Sequence, residues 1–177
     1  SDVTLTSGAL KVEANNEVTL NLNGKKLTNQ AGANTIEVAA GGTLTIEGPG
    51  TVDNVSPQKA AVNNSGTVVL NGGTYTRSQE KGTSEEDSGS NSYYTILNHG
   101  TMTINEGVTV NQGENGAGKF SSLIENGWYN GNNNTGGELS VMTINGGTFS
   151  GGLNTIKNDD YGELTIKGGT FSSYAQA

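Results

Sequence analysis

The chain has 177 residues, 31% of them hydrophobic, with 28 glycines, no cysteine and a formal net charge of −8. That length suits one domain. The acidity speaks against electrostatic attraction to nucleic acid or an anionic membrane, and the lack of cysteine excludes disulfides and thiolate metal sites.

So few hydrophobic residues would leave an ordinary globular domain short of core, whereas a solenoid needs only a few inward residues per coil. No apolar run approaches membrane-spanning length, so no membrane insertion is expected. The opening "SDVTLTSGALKV" begins almost inside a strand, as a secreted chain would after removal of a leader.

From there one phrase returns along the chain: "EVTLNLNGKKL" (17–27), "GTLTIEGPGTV" (42–52), "GTVVLNGGTY" (66–75), "GTMTINEGVTV" (100–110), "MTINGGTF" (142–149) and "GELTIKGGTF" (162–171). With Leu22, Ile46, Leu70, Ile104, Ile144 and Ile166 as marks, the intervals are 24, 24, 34, 40 and 22 residues. The two long intervals carry polar insertions, and without them the period is that of a β-solenoid coil.

Period-two alternation turns Leu20/Leu22, Leu44/Ile46, Val68/Leu70, Met102/Ile104, Met142/Ile144 and Leu164/Ile166 to one side. A glycine-containing corner such as "NGG" or "KGG" then ends each strand, because a tight turn commonly needs positive φ. A strand with Val52, Tyr75, Val108, Phe149 or Phe171 inward follows. Another precedes the phrase, in "NTIEV" (34–38), "AAVNN" (60–64), "YTILN" (94–98), "SLIEN" (122–126) and "NTIKN" (154–158).

In the last four of these preceding strands an asparagine follows a β-branched residue by two: Val62/Asn64, Ile96/Asn98, Ile124/Asn126 and Ile156/Asn158. Stacked coils would bring these amides into a ladder. "NTIEVAAGG" lacks the asparagine, and a longer corner is expected there. The reading is an all-β, right-handed, single-stranded parallel β-helix of about six coils, three short strands each, forming a single domain over 1–177.

The pattern "VTLNLNGKKLT" followed by "GTLTI-x-GG/PGT" phrases resembles the right-handed parallel β-helix, pectate-lyase-like segments of large surface and adhesin proteins of Gram-positive gut bacteria. It is also similar to segments of phage virion proteins from the same hosts. The resemblance covers about Val3 to Phe171 and rests on scaffold residues, so it implies architecture more than activity.

Parallel β-helices include polysaccharide hydrolases and lyases, and "NHG" (98–100) and "NDDYG" (158–162) superficially resemble the polygalacturonase pattern. Here, however, His99 falls in the corner slot of Ser65 and Gly41 and precedes Asp159 and Asp160, reversing the order. Inverting hydrolysis needs two carboxylates about 6.5–9.5 Å apart on one surface, whereas Asp159 and Asp160 are neighbours at a turn. Arg77, the only arginine, opens an insertion, and His99 is the only histidine. Asp159, Asp160 and Glu163 are oxygen ligands of the kind calcium takes, but read first as a solvated corner. The expectation is no enzyme, no cofactor and no metal.

Three insertions interrupt the repeat, at about 76–94, 111–122 and 127–137. The first two leave the same corner on successive coils and should be spatial neighbours; the third leaves a different corner. The third holds the sole tryptophan. Rings stack on sugar faces while amides bond hydroxyls, which makes Trp128, Tyr129, Asn130 and Asn132 the leading contact candidates, with Tyr93 and Tyr94 behind them. The bland alternatives are that Trp128 and Tyr129 fold back over a coil edge and that Tyr93 and Tyr94 begin a strand.

The functional expectation is an extracellular, non-catalytic binding or display module. Its leading form is a bacterial cell-surface adhesin segment recognising glycan or host protein, and a phage capsid-decorating or fibre protein docking on other virion proteins is the alternative. "GGTFSSYAQA" leaves few residues to cover the last coil, so a homo-oligomer or a continuing solenoid is expected there.

Overall fold

The structure, a computed structural model, describes residues 1–79, 93–112, 122–128 and 137–173. The candidates Tyr129, Asn130 and Asn132 lie outside the described residues.

Nineteen strands are described. After β1 (Val3–Leu5) come six coils of three: β2 (Leu10–Val12), β3 (Glu17–Asn21), β4 (Lys26–Asn29); β5 (Ile36–Val38), β6 (Thr43–Glu47), β7 (Thr51–Asn54); β8 (Val62–Asn64), β9 (Thr67–Leu70), β10 (Gly73–Arg77). The rest are β11 (Ile96–Asn98), β12 (Thr101–Ile104), β13 (Val108–Gln112); β14 (Ile124–Asn126), β15 (Ser140–Ile144), β16 (Thr148–Ser150); β17 (Ile156–Asn158), β18 (Gly162–Ile166), β19 (Thr170–Ser172). Every third strand pairs in parallel. Sheet 1 runs β1-β4-β7-β10-β13-β16-β19, sheet 2 runs β2-β5-β8-β11-β14-β17, and sheet 3 runs β3-β6-β9-β12-β15-β18. This is a parallel β-helix.

The core consists of vertical columns of like side chains. On sheet 3, Val18, Leu44, Val68, Met102, Met142 and Leu164 form one column, and Leu20, Ile46, Leu70, Ile104, Ile144 and Ile166 the next. Sheet 2 adds Leu10, Ile36, Val62, Ile96, Ile124 and Ile156. Sheet 1 adds Leu27, Val52, Tyr75, Val110, Phe149 and Phe171. Aliphatic burial through the middle coils is complete, and it is the main favourable term holding them.

Two register expectations are corrected. Leu20, not Leu22, pairs with Ile46. Likewise Val110, not Val108, joins Tyr75 and Phe149, while Val108 lies opposite Gly73. In both places the alternation runs one step longer than the strand needs (Val18, Leu20, Leu22; Val108, Val110), so a slip of two residues keeps every side chain on its proper face. Leu22 is still buried, inside the corner. Gly50 makes room for it: a Cβ there would stand 2.4 Å from Leu22 Cβ.

The asparagine ladder is present. Asn64 Nδ2 donates to Asn98 Oδ1, Asn98 to Asn126 and Asn126 to Asn158, each at 2.7 Å. A second amide hydrogen climbs to the backbone of the coil above, from Asn64 to Thr101 O and from Asn126 to Glu163 O. Val38 holds the ladder position one coil earlier. Its corner, Ala39–Gly42, has two more residues than Ser65–Gly66, as expected.

A second ladder, which the sequence reading missed, runs along the opposite end of sheet 3. Asn145 donates to Asn105, Asn105 to Asn71 and Asn71 to Glu47 Oε1, again at 2.7 Å. The signal was available, since these residues directly follow the marks Ile46, Leu70, Ile104 and Ile144.

Candidate ligand-binding face

The insertions are best located by their roots. Arg77 and Gln112 are register partners at the ends of β10 and β13, so the first two insertions leave from adjacent rungs. The second returns at Ser122 into β14, and the third departs from Gly127 directly after β14. The first returns through Tyr93 and Tyr94 into β11, the neighbour of β14 in sheet 2. The second and third insertions therefore flank the three-residue β14, and the first returns into the strand beside it.

Arg77 does not open a loop as expected. It ends β10 and is 1% exposed. Its guanidinium carbon lies 5.7 Å from the Tyr93 ring centroid, in cation–π range. Burial lowers its pKa to about 10, with the charge of Tyr93 opposing that shift. Beside it, Ser78 donates to the buried Asp53 through N (3.0 Å) and Oγ (2.6 Å), and Lys26 Nζ reaches the same carboxylate at 2.7 Å. These contacts fix the departure of the first insertion.

On the outer face of sheet 2, Leu97, Glu125 and Lys157 share one column. Glu125 points away from the core, yet it is only 4% exposed, and the adjacent Tyr94 is 3% exposed. Lys157 Nζ pairs with Asp159 Oδ2 at 2.6 Å. Burial works to lower the Lys157 pKa, but the hydrogen bond to Asp159 and the charges of Tyr94, Asp159 and Glu125 outweigh it and raise the value. Glu125 and Lys157 had not been singled out from sequence, because nothing local marks a charged strand residue as covered.

Trp128 folds back over the coil edge. Its ring stacks on His99 at 4.0 Å between centroids and 14° between planes, and Nε1 donates to Glu138 O at 2.8 Å. Its backbone N–H bonds Asp160 O at 2.9 Å. A Cβ on Gly137 would meet Trp128 at 3.0 Å and Tyr161 at 2.8 Å, so His99, Trp128, Gly137 and Tyr161 form one packed corner. Trp128 thus anchors the root of the third insertion.

The bonds that set the corner slot run from Ser65 N to Val38 O, His99 N to Asn64 O, Gly127 N to Asn98 O and Asp159 N to Asn126 O. His99 and Asp159 therefore sit two rungs apart, roughly 10 Å by strand spacing. Burial lowers the His99 pKa. Asp159 is engaged by Lys157, and among the described residues no three His, Cys, Asp or Glu side chains are arranged to hold a metal ion. No helix among them is long and apolar enough to cross a membrane. No protein-family model, curated protein or solved structure matches the chain.

Proposed function

We propose that the chain is a non-catalytic extracellular binding module: a bacterial cell-surface adhesin segment whose β-helix holds three inserted loops against one face for recognition of glycan or host protein. The observation carrying this reading is that the second and third insertions flank β14 while the first returns into β11, its neighbour in sheet 2. Loops that leave a rigid scaffold side by side make one composite surface. The scaffold spends its own polar groups on itself, in amide ladders and corner bonds, leaving recognition to the loops. Tyr93, at the return of the first insertion, borders that surface, and the covered Glu125 lies beneath it on β14. Trp128 contributes by fixing the third loop.

The test replaces residues 80–92, 113–121 or 129–136, one at a time, by short Gly-Ser linkers and screens glycan arrays and immobilised extracellular host proteins. The intact chain should bind a defined set that each replacement weakens at unchanged thermal stability. Binding indifferent to all three replacements would remove the loops as the recognition surface.

A further inference from the structure

Six Asn–Gly pairs occur in the chain, and two of them, 115–116 and 130–131, lie outside the described residues. A glycine after an asparagine invites self-modification, because no side chain shields its backbone nitrogen from the asparagine side-chain carbon. That nitrogen is poised to attack where its N–H holds no hydrogen bond, and the four described pairs differ in this respect.

Three of the four are protected. Gly24 N donates to Pro49 O at 2.6 Å, and Gly127 N donates to Asn98 O at 3.1 Å with Asn126 itself fully buried. Gly146 is buried under Glu106, whose Cγ would stand 2.6 Å from an added Cβ. Asn145 also ends its ladder: it donates to Asn105, but its own Oδ1 accepts no hydrogen bond from the described residues.

Asn71–Gly72 differs on each count. Asn71 is exposed in the corner between β9 and β10. The Gly72 N–H has no partner among the described residues, while its carbonyl accepts from the Tyr75 hydroxyl at 3.0 Å. Asn105 Nδ2 donates to Asn71 Oδ1 at 2.7 Å, which stabilises the negative charge this oxygen gathers when a nucleophile adds to Cγ. Glu47 Oε1 lies 2.7 Å from Asn71 Nδ2, against the nitrogen that would leave.

We propose that Asn71–Gly72 is a deamidation site built into the exposed ladder. Gly72 N bonds to Asn71 Cγ, the Cγ–Nδ2 bond breaks and ammonia departs. Solvent takes the proton from Gly72 N, and Glu47 relays one to the leaving nitrogen. Water then opens the cyclic imide, at Cγ to give aspartate or at the backbone carbonyl to give isoaspartate. Either product sets a second carboxylate against Glu47 where Asn71 had donated, and so breaks the ladder at that end. Isoaspartate also adds a methylene to the backbone of a corner only two residues long. This holds whatever the loops bind.

Peptide mapping by mass spectrometry during incubation at mildly alkaline pH tests it, with enzymatic methylation to distinguish isoaspartate from aspartate. In denaturant the four described pairs should convert at similar rates, whereas in the native chain Asn71 should lead the other three by about tenfold or more, because their native contacts must open first. Asn105→Ala should slow native conversion at Asn71 about tenfold by removing the donor to the carbonyl oxygen. Gly72→Ala, whose methyl would sit 3.4 Å from Gly48 without a clash, should nearly stop it by crowding the attacking nitrogen. Conversion at Asn126 should stay slow in both variants, the sign that the rungs remain folded. Native Asn71 no faster than Asn126, Asn145 ahead of Asn71, or Asn105→Ala converting as fast as the wild type would each overturn the proposal.

Discussion

A single amide in the interior ladder satisfies several buried groups at once. Asn98 accepts from Asn64 and donates to Asn126 and to the Val141 carbonyl, all with no exposure of its own side chain. Asn98→Ala should therefore cost about 2–3 kcal/mol in chemical denaturation, chiefly because it leaves the Asn64 amide buried and short of a partner. Asn105→Ala in the exposed ladder should cost under about 1 kcal/mol, since water replaces the lost bond. Equal losses would mean that ladder position, not burial, sets the contribution. At the neighbouring corner, burial depresses the His99 pKa from 6.5, so between that value and the lower native one the unfolded chain holds more protons. Stability should fall as pH drops through this window, whereas His99→Phe, which keeps a ring against Trp128, should show no such loss relative to wild type. Parallel stability–pH curves would dismiss the effect.

Among elements, the corner after β3 shows how a glycine and a leucine define one another. Gly50 has φ 149°, and an added Cβ would meet Leu22 Cβ at 2.4 Å and Lys25 O at 2.7 Å. Gly50→Ala should destabilise by about 2–4 kcal/mol, whereas Gly8→Ala, with no atom within 4 Å of the added carbon, should cost about 1 kcal/mol from its positive φ alone. Leu22→Gly combined with Gly50→Ala should lose less than the sum of the singles, because removing the Leu22 Cβ takes away the side-chain atom that the added carbon would meet. Strict additivity would disprove that contact. Loop replacement is an element-scale change as well. The cost of closing a surface loop varies slowly with its length, so trimming residues 113–121 should move the melting temperature by only a few degrees.

For the whole molecule, the strands of each coil pair only with those of the coils beside it, so stability is distributed along one axis. Interior rungs are bonded on both sides, whereas β1 has a neighbour on one side alone. Native-state hydrogen exchange should find the amides of Leu44–Ile46 and Met102–Ile104 protected by several orders of magnitude more than those of Val3–Leu5. Uniform protection along the axis would show that the column unfolds only as a unit. On the proposed reading, the same one-dimensional logic puts recognition where the coils are interrupted, on either side of β14 and next to it.

The amino-acid sequence alone determined the coil, its three strands and the interior amide ladder, because each follows from a local period of two, a glycine at a bend and a near-constant repeat. It left the register of Leu20 against Leu22 open, since alternating aliphatic residues fit two alignments of equal parity. Only the stacked structure decided that, together with the burial of Arg77 and Glu125, the seating of Trp128 on His99 and the return of the first insertion beside the strand that the other two flank. Those features join residues from different coils, and no period along the chain records which outer side chains the neighbouring rung will cover.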